Sequence, residues 1–173
     1  MPFEFAVLDW MQLHLRGEFL DLLVPRITAL GDHGLVWILL AAALLLFPKT
    51  RRLGAAVAAA LLLEYTVCDL LIKPLIARPR PCDLNAAAGM LIPRPHGHSF
   101  PSGHTGASFA AAFALWRGKS PLGVPALILA ALIGFSRLYL YVHFPTDVLG
   151  GILVGLAAGY AGEWLMRRVG PGC

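Results

Sequence analysis

Apolar runs that approach or exceed the roughly 20 residues needed to cross a hydrocarbon core of about 30 Å are what most limit the folds open to this chain. They occur at about 34–48, 53–73, 102–117, 121–142 and 146–166. A backbone inside lipid must satisfy its own hydrogen bonds, so such runs are read as helices. Composition agrees, with 58% of residues hydrophobic and only 14% charged, where a soluble domain carries about a quarter charged. Mean hydropathy is +0.71. The expected fold is all-α, a polytopic transmembrane helix bundle of about five spans forming one compact unit.

Residues 3–30 mix apolar positions with Asp9, Arg16, Glu18, Asp21 and Arg26. That is too charged for lipid, and residues 1–33 are expected to form an amphipathic segment lying at the interface. Gly31-Asp32-His33-Gly34 then breaks the pattern. The first span is short and is expected to recruit residues before Gly34 or to sit in thinned bilayer. The core is expected over 34–168, followed by a short tail, 169–173. The opening Met1-Pro2-Phe3-Glu4-Phe5 has no basic n-region, so no cleavable signal is expected and the first span does the targeting.

Net charge is +4, and its placement fixes an orientation. Lys49-Thr50-Arg51-Arg52, Arg117-Gly118-Lys119 and Arg167-Arg168 fall on one side of alternating spans, which the positive-inside rule makes cytoplasmic. The 74–101 segment and the 142–146 turn then lie on the extracytoplasmic side of a cell membrane. A loop as long as 74–101, rich in Pro, Gly, His and Arg, is read as functional. Gly151, Gly155 and Gly159 let helices approach closely, within the chain in preference to a homodimer seam. Cys68, Cys82 and Cys173 show no CxxC spacing, so neither a disulfide framework nor a zinc site is indicated. No internal repeat supports an inverted-repeat transporter.

Three polar groups, far apart in sequence, share the outer side. Lys73, Arg80 and Arg137 are cations at or near membrane depth, where a lone charge costs a few kcal/mol or more, so they call for an anion. Guanidinium forks match phosphate oxygens, and lysine adds a mobile charge. Asp69, one turn before Lys73, offers the simpler alternative of an ion pair. Pro101-Ser102-Gly103-His104 reads as a helix start, with Pro101 in the first turn, free amides, a glycine allowing close approach and a serine hydroxyl. His143 and Asp147 read as a nucleophile and the carboxylate that fixes its tautomer, with Pro145 opening the last span. His104 then serves as the acid across the phosphorus, protonating the leaving group and later accepting a proton from water. Ser136 is read loosely as a donor supporting the pocket. Glu64, near the middle of its span, is read as a buried hydrogen-bond partner.

Taken together, KPLIARPRP (73–81), PSGH (101–104) and SRLYLYVHFPTD (136–147) resemble the three-part signature of the type 2 phosphatidic acid phosphatase superfamily, lipid phosphate phosphatases related to vanadium haloperoxidases. The likeness runs from about residue 30 to 166. It implies a bundle of about six helices and metal-independent phosphatase activity, with no cofactor. Lys73, Arg80, Ser102, Gly103 and Arg137 would bind phosphate, His143, His104 and Asp147 would be catalytic, and Ser136 and Pro81 would support them. Compared with six-span members, this chain is expected to replace the first span by its interfacial segment. The substrate implied first is undecaprenyl diphosphate, then phosphatidate or phosphatidylglycerophosphate; membrane lipids, and no nucleic acid, are the expected partners. Two rivals are a metal enzyme using His96, His98, His104, His143 and Asp147, and a non-catalytic lipid-binding or transport protein.

Overall fold

A computed structural model describes residues 2–85 and 88–169. The expected tail, apart from Val169, lies outside the described residues, as does Cys173. Every regular element described is helical: α1 (Pro2–Leu15), α2 (Glu18–Ala29), α3 (Leu35–Leu46), α4 (Arg51–Tyr65), α5 (Lys73–Ile76), α6 (Pro81–Leu84), α7 (Gly103–Arg117), α8 (Gly123–Tyr139) and α9 (Pro145–Arg168). A π-helical stretch, Thr66–Ile72, joins α4 to α5 without a break.

The bundle is wound around α7, which packs against α4, α8 and α9. Ala110, Ala111, Ala112, Ala114 and Leu115 of α7 are fully buried. Small residues there let α9 come within backbone contact. A Cβ on Gly151 would stand 2.5 Å from the Ser102 carbonyl, one on Gly155 2.5 Å from that of Gly106, and one on Gly159 2.7 Å from that of Ala110. The glycine row of the last helix is therefore spent inside the chain, on the 102–106–110 face of α7, and is not open as a dimer seam.

Leucines dominate the outside. Leu62 is 67% exposed, Leu153 69% and Leu39 60%, an arrangement suited to a lipid surround. Two helical stretches, Arg51–Leu84 and Pro145–Arg168, are long and apolar enough to cross a membrane. A third is gained if Glu18–Ala29 and Asp32–Leu46, bent by 43° at their junction, count as one span, and Gly123–Tyr139 is apolar but shorter. The chain is thus a helical membrane protein, although length and hydropathy do not reproduce five spans. α7 escapes because it is enclosed by protein: Gly103, Thr105, Gly106 and Ser108 serve packing where a lipid-facing helix would carry leucine.

The N-terminal segment, expected as an amphipathic segment at the interface, is helical and docked on the bundle. It forms α1 and α2, which pack on α8, and α2 runs into α3 through the bend. Its charges are tied to the rest of the chain. Tyr139 donates to Asp21 at 2.6 Å and Tyr141 to Asp9 at 2.7 Å, while Arg16 pairs with Asp21 at 2.9 Å.

At one end of the bundle the three basic clusters meet. Arg52 donates to the carbonyls of Met166 and Arg167, both at 2.8 Å, and Arg117 and Arg167 both bind Glu163. The polar groups of the three signature segments gather at the opposite end.

Candidate active site

A cavity of about 630 Å³ opens at that opposite end, lined among others by Lys73, Arg80, Gly103, His104, Arg137 and His143. These six come from the three signature segments of the chain. The turn after α8 delivers His143: the amides of Val142 and His143 both donate to the Arg137 carbonyl, at 3.2 and 3.3 Å. Tyr141 takes a left-handed φ of 59° in that turn, a costly conformation for a bulky residue, with its hydroxyl held by Asp9 and Asn85. Pro145 occupies the first position of α9, as its fixed φ suits, and Asp147 lies in the first turn.

His143 is 2% exposed. Its Nε2 lies 3.1 Å from Arg80 Nη1, and its Nδ1 lies 3.4 Å from Asp147 Oδ2. That Nδ1 has no hydrogen-bond partner among the described residues. Burial, then the positive charges of Arg137 and Arg80, hold the imidazole well below the ordinary histidine value of 6.5, so it is neutral near pH 7. With Nδ1 protonated towards the carboxylate, the Nε2 lone pair faces Arg80 and the cavity.

Both arginines are buried and lack a carboxylate partner among the described residues. Arg80 instead donates to the backbone carbonyls of Gly97, Val142, His96 and His98. Arg137 donates to the Thr28 hydroxyl at 2.5 Å, and its Nε has no partner. Buried guanidinium groups without counter-ions are costly, and an anion in the cavity would relieve both.

Lys73 is differently placed: Asp69 holds its ammonium at 2.5 Å, the ion pair that spacing alone had allowed. Its Nζ lies 3.1 Å from where a Gly103 Cβ would be, so the glycine makes room for the lysine beside the helix start. That helix begins at Gly103 with Ser102 as its N-cap, which leaves Pro101 outside the helix, not in its first turn. Ser102 is fully buried and its hydroxyl accepts from Thr105 at 3.0 Å. Ser136 does not line the cavity; its hydroxyl donates to the Ile133 carbonyl at 2.6 Å, so it supports α8 and offers no donor to the pocket. Pro81 starts α6 and is buried behind Arg80. His96 and His98, imagined as ligands in the rival metal reading, contribute carbonyls to Arg80.

The groups in metal-ligand proximity among the described residues are Glu64, Cys68 and Asp69, but Lys73 already supplies the positive charge at Asp69. Glu64 is 2% exposed and lines the cavity. Its carboxyl shares a hydrogen bond with the Cys68 thiol one turn on, as a buried hydrogen-bond partner should, while its Oε1 has no partner among the described residues.

Two features were not read from the sequence. Arg78 joins Asp147 Oδ1 at 2.6 Å, the Thr146 hydroxyl at 2.7 Å and Glu4 Oε2 at 2.6 Å, and its guanidinium lies over the Phe144 ring. Asp32 Oδ1 binds His104 Nε2 at 2.8 Å. The available signal was the charge of each near a span end, Arg78 in KPLIARPRP and Asp32 in the Gly-Asp-His-Gly break.

Comparison with known proteins bears on this geometry. Residues 49–170 match the family model described as PAP2 superfamily. An undecaprenyl-diphosphatase from Sulfolobus acidocaldarius is 32% identical over 121 residues, 69% of this chain but 58% of the relative, so the chain spans less than two thirds of that protein's length. A decaprenylphosphoryl-5-phosphoribose phosphatase from Mycolicibacterium smegmatis is 37% identical over 151 residues, 86% of this chain and 81% of the relative. The crystal structure of a transmembrane PAP2 type phosphatidylglycerolphosphate phosphatase from Bacillus subtilis superposes with a TM-score of 0.77 at 26% identity, covering 97% of this chain and 86% of that one. With most of its length matched by the family model and the three signature segments drawn to one cavity, the chain belongs to the PAP2 superfamily.

Proposed function

We propose that this protein is a multi-pass membrane phosphatase that hydrolyses a lipid phosphate or diphosphate without a metal, through a phosphohistidine on His143. One observation carries the reading: the buried guanidinium groups of Arg80 and Arg137, without carboxylate partners, flank His143 in a cavity whose other wall is apolar, with Ile38, Leu61 and Leu62. An anionic headgroup on an apolar tail fits both halves.

In the first half-reaction His143 Nε2 bonds to phosphorus as the bond to the leaving oxygen breaks, and His104 gives that oxygen a proton. Asp147 holds the Nδ1 proton of His143 and balances the charge that develops on its ring. Arg80, Arg137, Lys73 and the amides at the start of α7 stabilise the equatorial oxygens. In the second half-reaction neutral His104 takes a proton from water, the water oxygen bonds to phosphorus, and the P–N bond breaks to release phosphate. Arg78 keeps Asp147 oriented.

Undecaprenyl diphosphate is the leading substrate, supported by the name of the Sulfolobus relative. A second reading, a polyprenyl phosphate carrying a phosphorylated sugar, is favoured by the long match to the Mycolicibacterium protein. The chain is read as crossing the cell membrane five times, with the cavity extracytoplasmic and the Arg52–Arg117–Arg167 end cytoplasmic.

The test is turnover by purified protein of undecaprenyl diphosphate, a decaprenylphosphoryl phosphopentose, phosphatidylglycerophosphate and phosphatidate, with His143→Ala as blank and exhaustive chelation as a second arm. Phosphate release that survives chelation and vanishes in the variant is expected. Binding without release from any of the four would favour a lipid carrier, and loss restored by one metal would favour the metal reading.

A further inference from the structure

The bend between α2 and α3 lies outside the residues matched by the family model, which begin at 49, yet it forms a wall of the cavity through Gly31, Asp32, His33 and Gly34. His33 and Gly34 both take left-handed φ angles, 54° and 66°, and this turns the chain so that Asp32 meets His104. The contact is close and directional, at 2.8 Å from Oδ1 to Nε2.

Space for the imidazole is made next door. A Cβ on Gly31 would stand 3.1 Å from His104 Cδ2 and 3.0 Å from Ile133 Cγ2, tighter than most such contacts, so a methyl there would press the ring and Ile133 by a few tenths of an ångström. One turn earlier Thr28, itself buried, accepts the 2.5 Å hydrogen bond from Arg137. A single short segment thus grips both a proposed phosphate ligand and the second histidine.

We propose that Asp32 is a positioning residue for His104, a carboxylate–imidazole pair that faces the His143–Asp147 pair across the phosphate. Asp32 accepts the Nε2 proton of His104 and so leaves Nδ1 as the nitrogen that exchanges a proton with substrate. As the bond from phosphorus to the leaving oxygen breaks, the Nδ1 proton of the imidazolium passes to that oxygen. When water attacks, Nδ1 takes the proton back. Asp32 holds the same Nε2–H throughout and is itself not protonated. The inference rests on the role given to His104 above.

An acid matters most when the leaving group is poor, and that separates positioning from mere structure. The probes are phosphatidate, whose diacylglycerol would leave as an alkoxide, and p-nitrophenyl phosphate, whose p-nitrophenol leaves as a stable phenolate. In Asp32→Asn, phosphatidate turnover is expected to fall roughly ten- to hundredfold, in line with loss of a hydrogen bond to a charged group, with p-nitrophenyl phosphate turnover changed by less than about threefold. Gly31→Ala should give the same split by displacing the ring, and adding Asp32→Asn to His104→Gln should cost nothing further. Equal losses on both esters, or additive losses in the double variant, would overturn the inference. If His104→Gln itself shows no split, the role of His104 fails; if it does and Asp32→Asn does not, the inference alone fails. A wild type inert towards both esters and towards undecaprenyl diphosphate removes the phosphatase reading and the inference with it.

Discussion

Arg78 donates a 2.6 Å hydrogen bond to Oδ1 of Asp147, the carboxylate behind His143, and with its other nitrogen reaches Glu4 on the first helix. Asp147 Oδ2 accepts from the Phe144 amide at 2.8 Å, so both oxygens are fixed before any substrate arrives. Replacing Arg78 by Ala removes one of the two anchors of Asp147 and the ion pair to Glu4. Turnover should fall by roughly ten- to hundredfold, the worth of a charge-assisted hydrogen bond, with lipid affinity little changed because Arg78 does not line the cavity. Steady-state kinetics with a matched binding measurement check this; a loss confined to affinity would place Arg78 elsewhere in the mechanism.

The nucleophile should be neutral. Burial and the neighbouring Arg137 and Arg80 lower His143 well below 6.5, so nitrogen NMR at pH 6.5, assigned with His143→Gln, should show a neutral ring protonated at Nδ1. The linkage sign follows: the depressed folded value contributes stability that is present above the unfolded value and is lost as pH falls through that value towards the folded one. An imidazolium signal at pH 6.5 would contradict the electrostatic account.

Helix contact makes a stability claim. Gly155→Ala places a methyl 2.5 Å from the Gly106 carbonyl, and such overpacking should cost about 1–3 kcal/mol. Gly17→Ala, with nothing within 4 Å, should be neutral. Thermal unfolding in detergent compares them, and equal transition temperatures would show that α7 and α9 are further apart than described here.

Much of the site was legible because its residues share a chemical task. Lys73, Arg80, His104, Arg137 and His143 are costly at a membrane border unless they converge on an anion, and they do line one cavity. Ser136 was misplaced because a serine at a helix end satisfies its own backbone as readily as a pocket. The glycine row of α9 announced a close helix contact without naming its partner. Glu4, Thr28 and Asp32 were missed for a different reason. Their segment was read from its charges as lying at the interface, apart from the site, whereas several of those charges are satisfied by residues more than a hundred positions away, such as Tyr139 and Tyr141. Periodicity carries no information about such pairings. Hydropathy likewise says little about a helix enclosed by protein, as α7 is, because packing selects small residues there.

The phosphohistidine is the central claim. Rapid quenching of purified protein mixed with substrate labelled in the scissile phosphate should trap one labelled residue, stable to alkali and labile to acid. Peptide mapping should place the label on His143, and His143→Ala should take up none and release no phosphate. Wild-type turnover without any trapped label, together with near-normal turnover in His143→Ala, would contradict it.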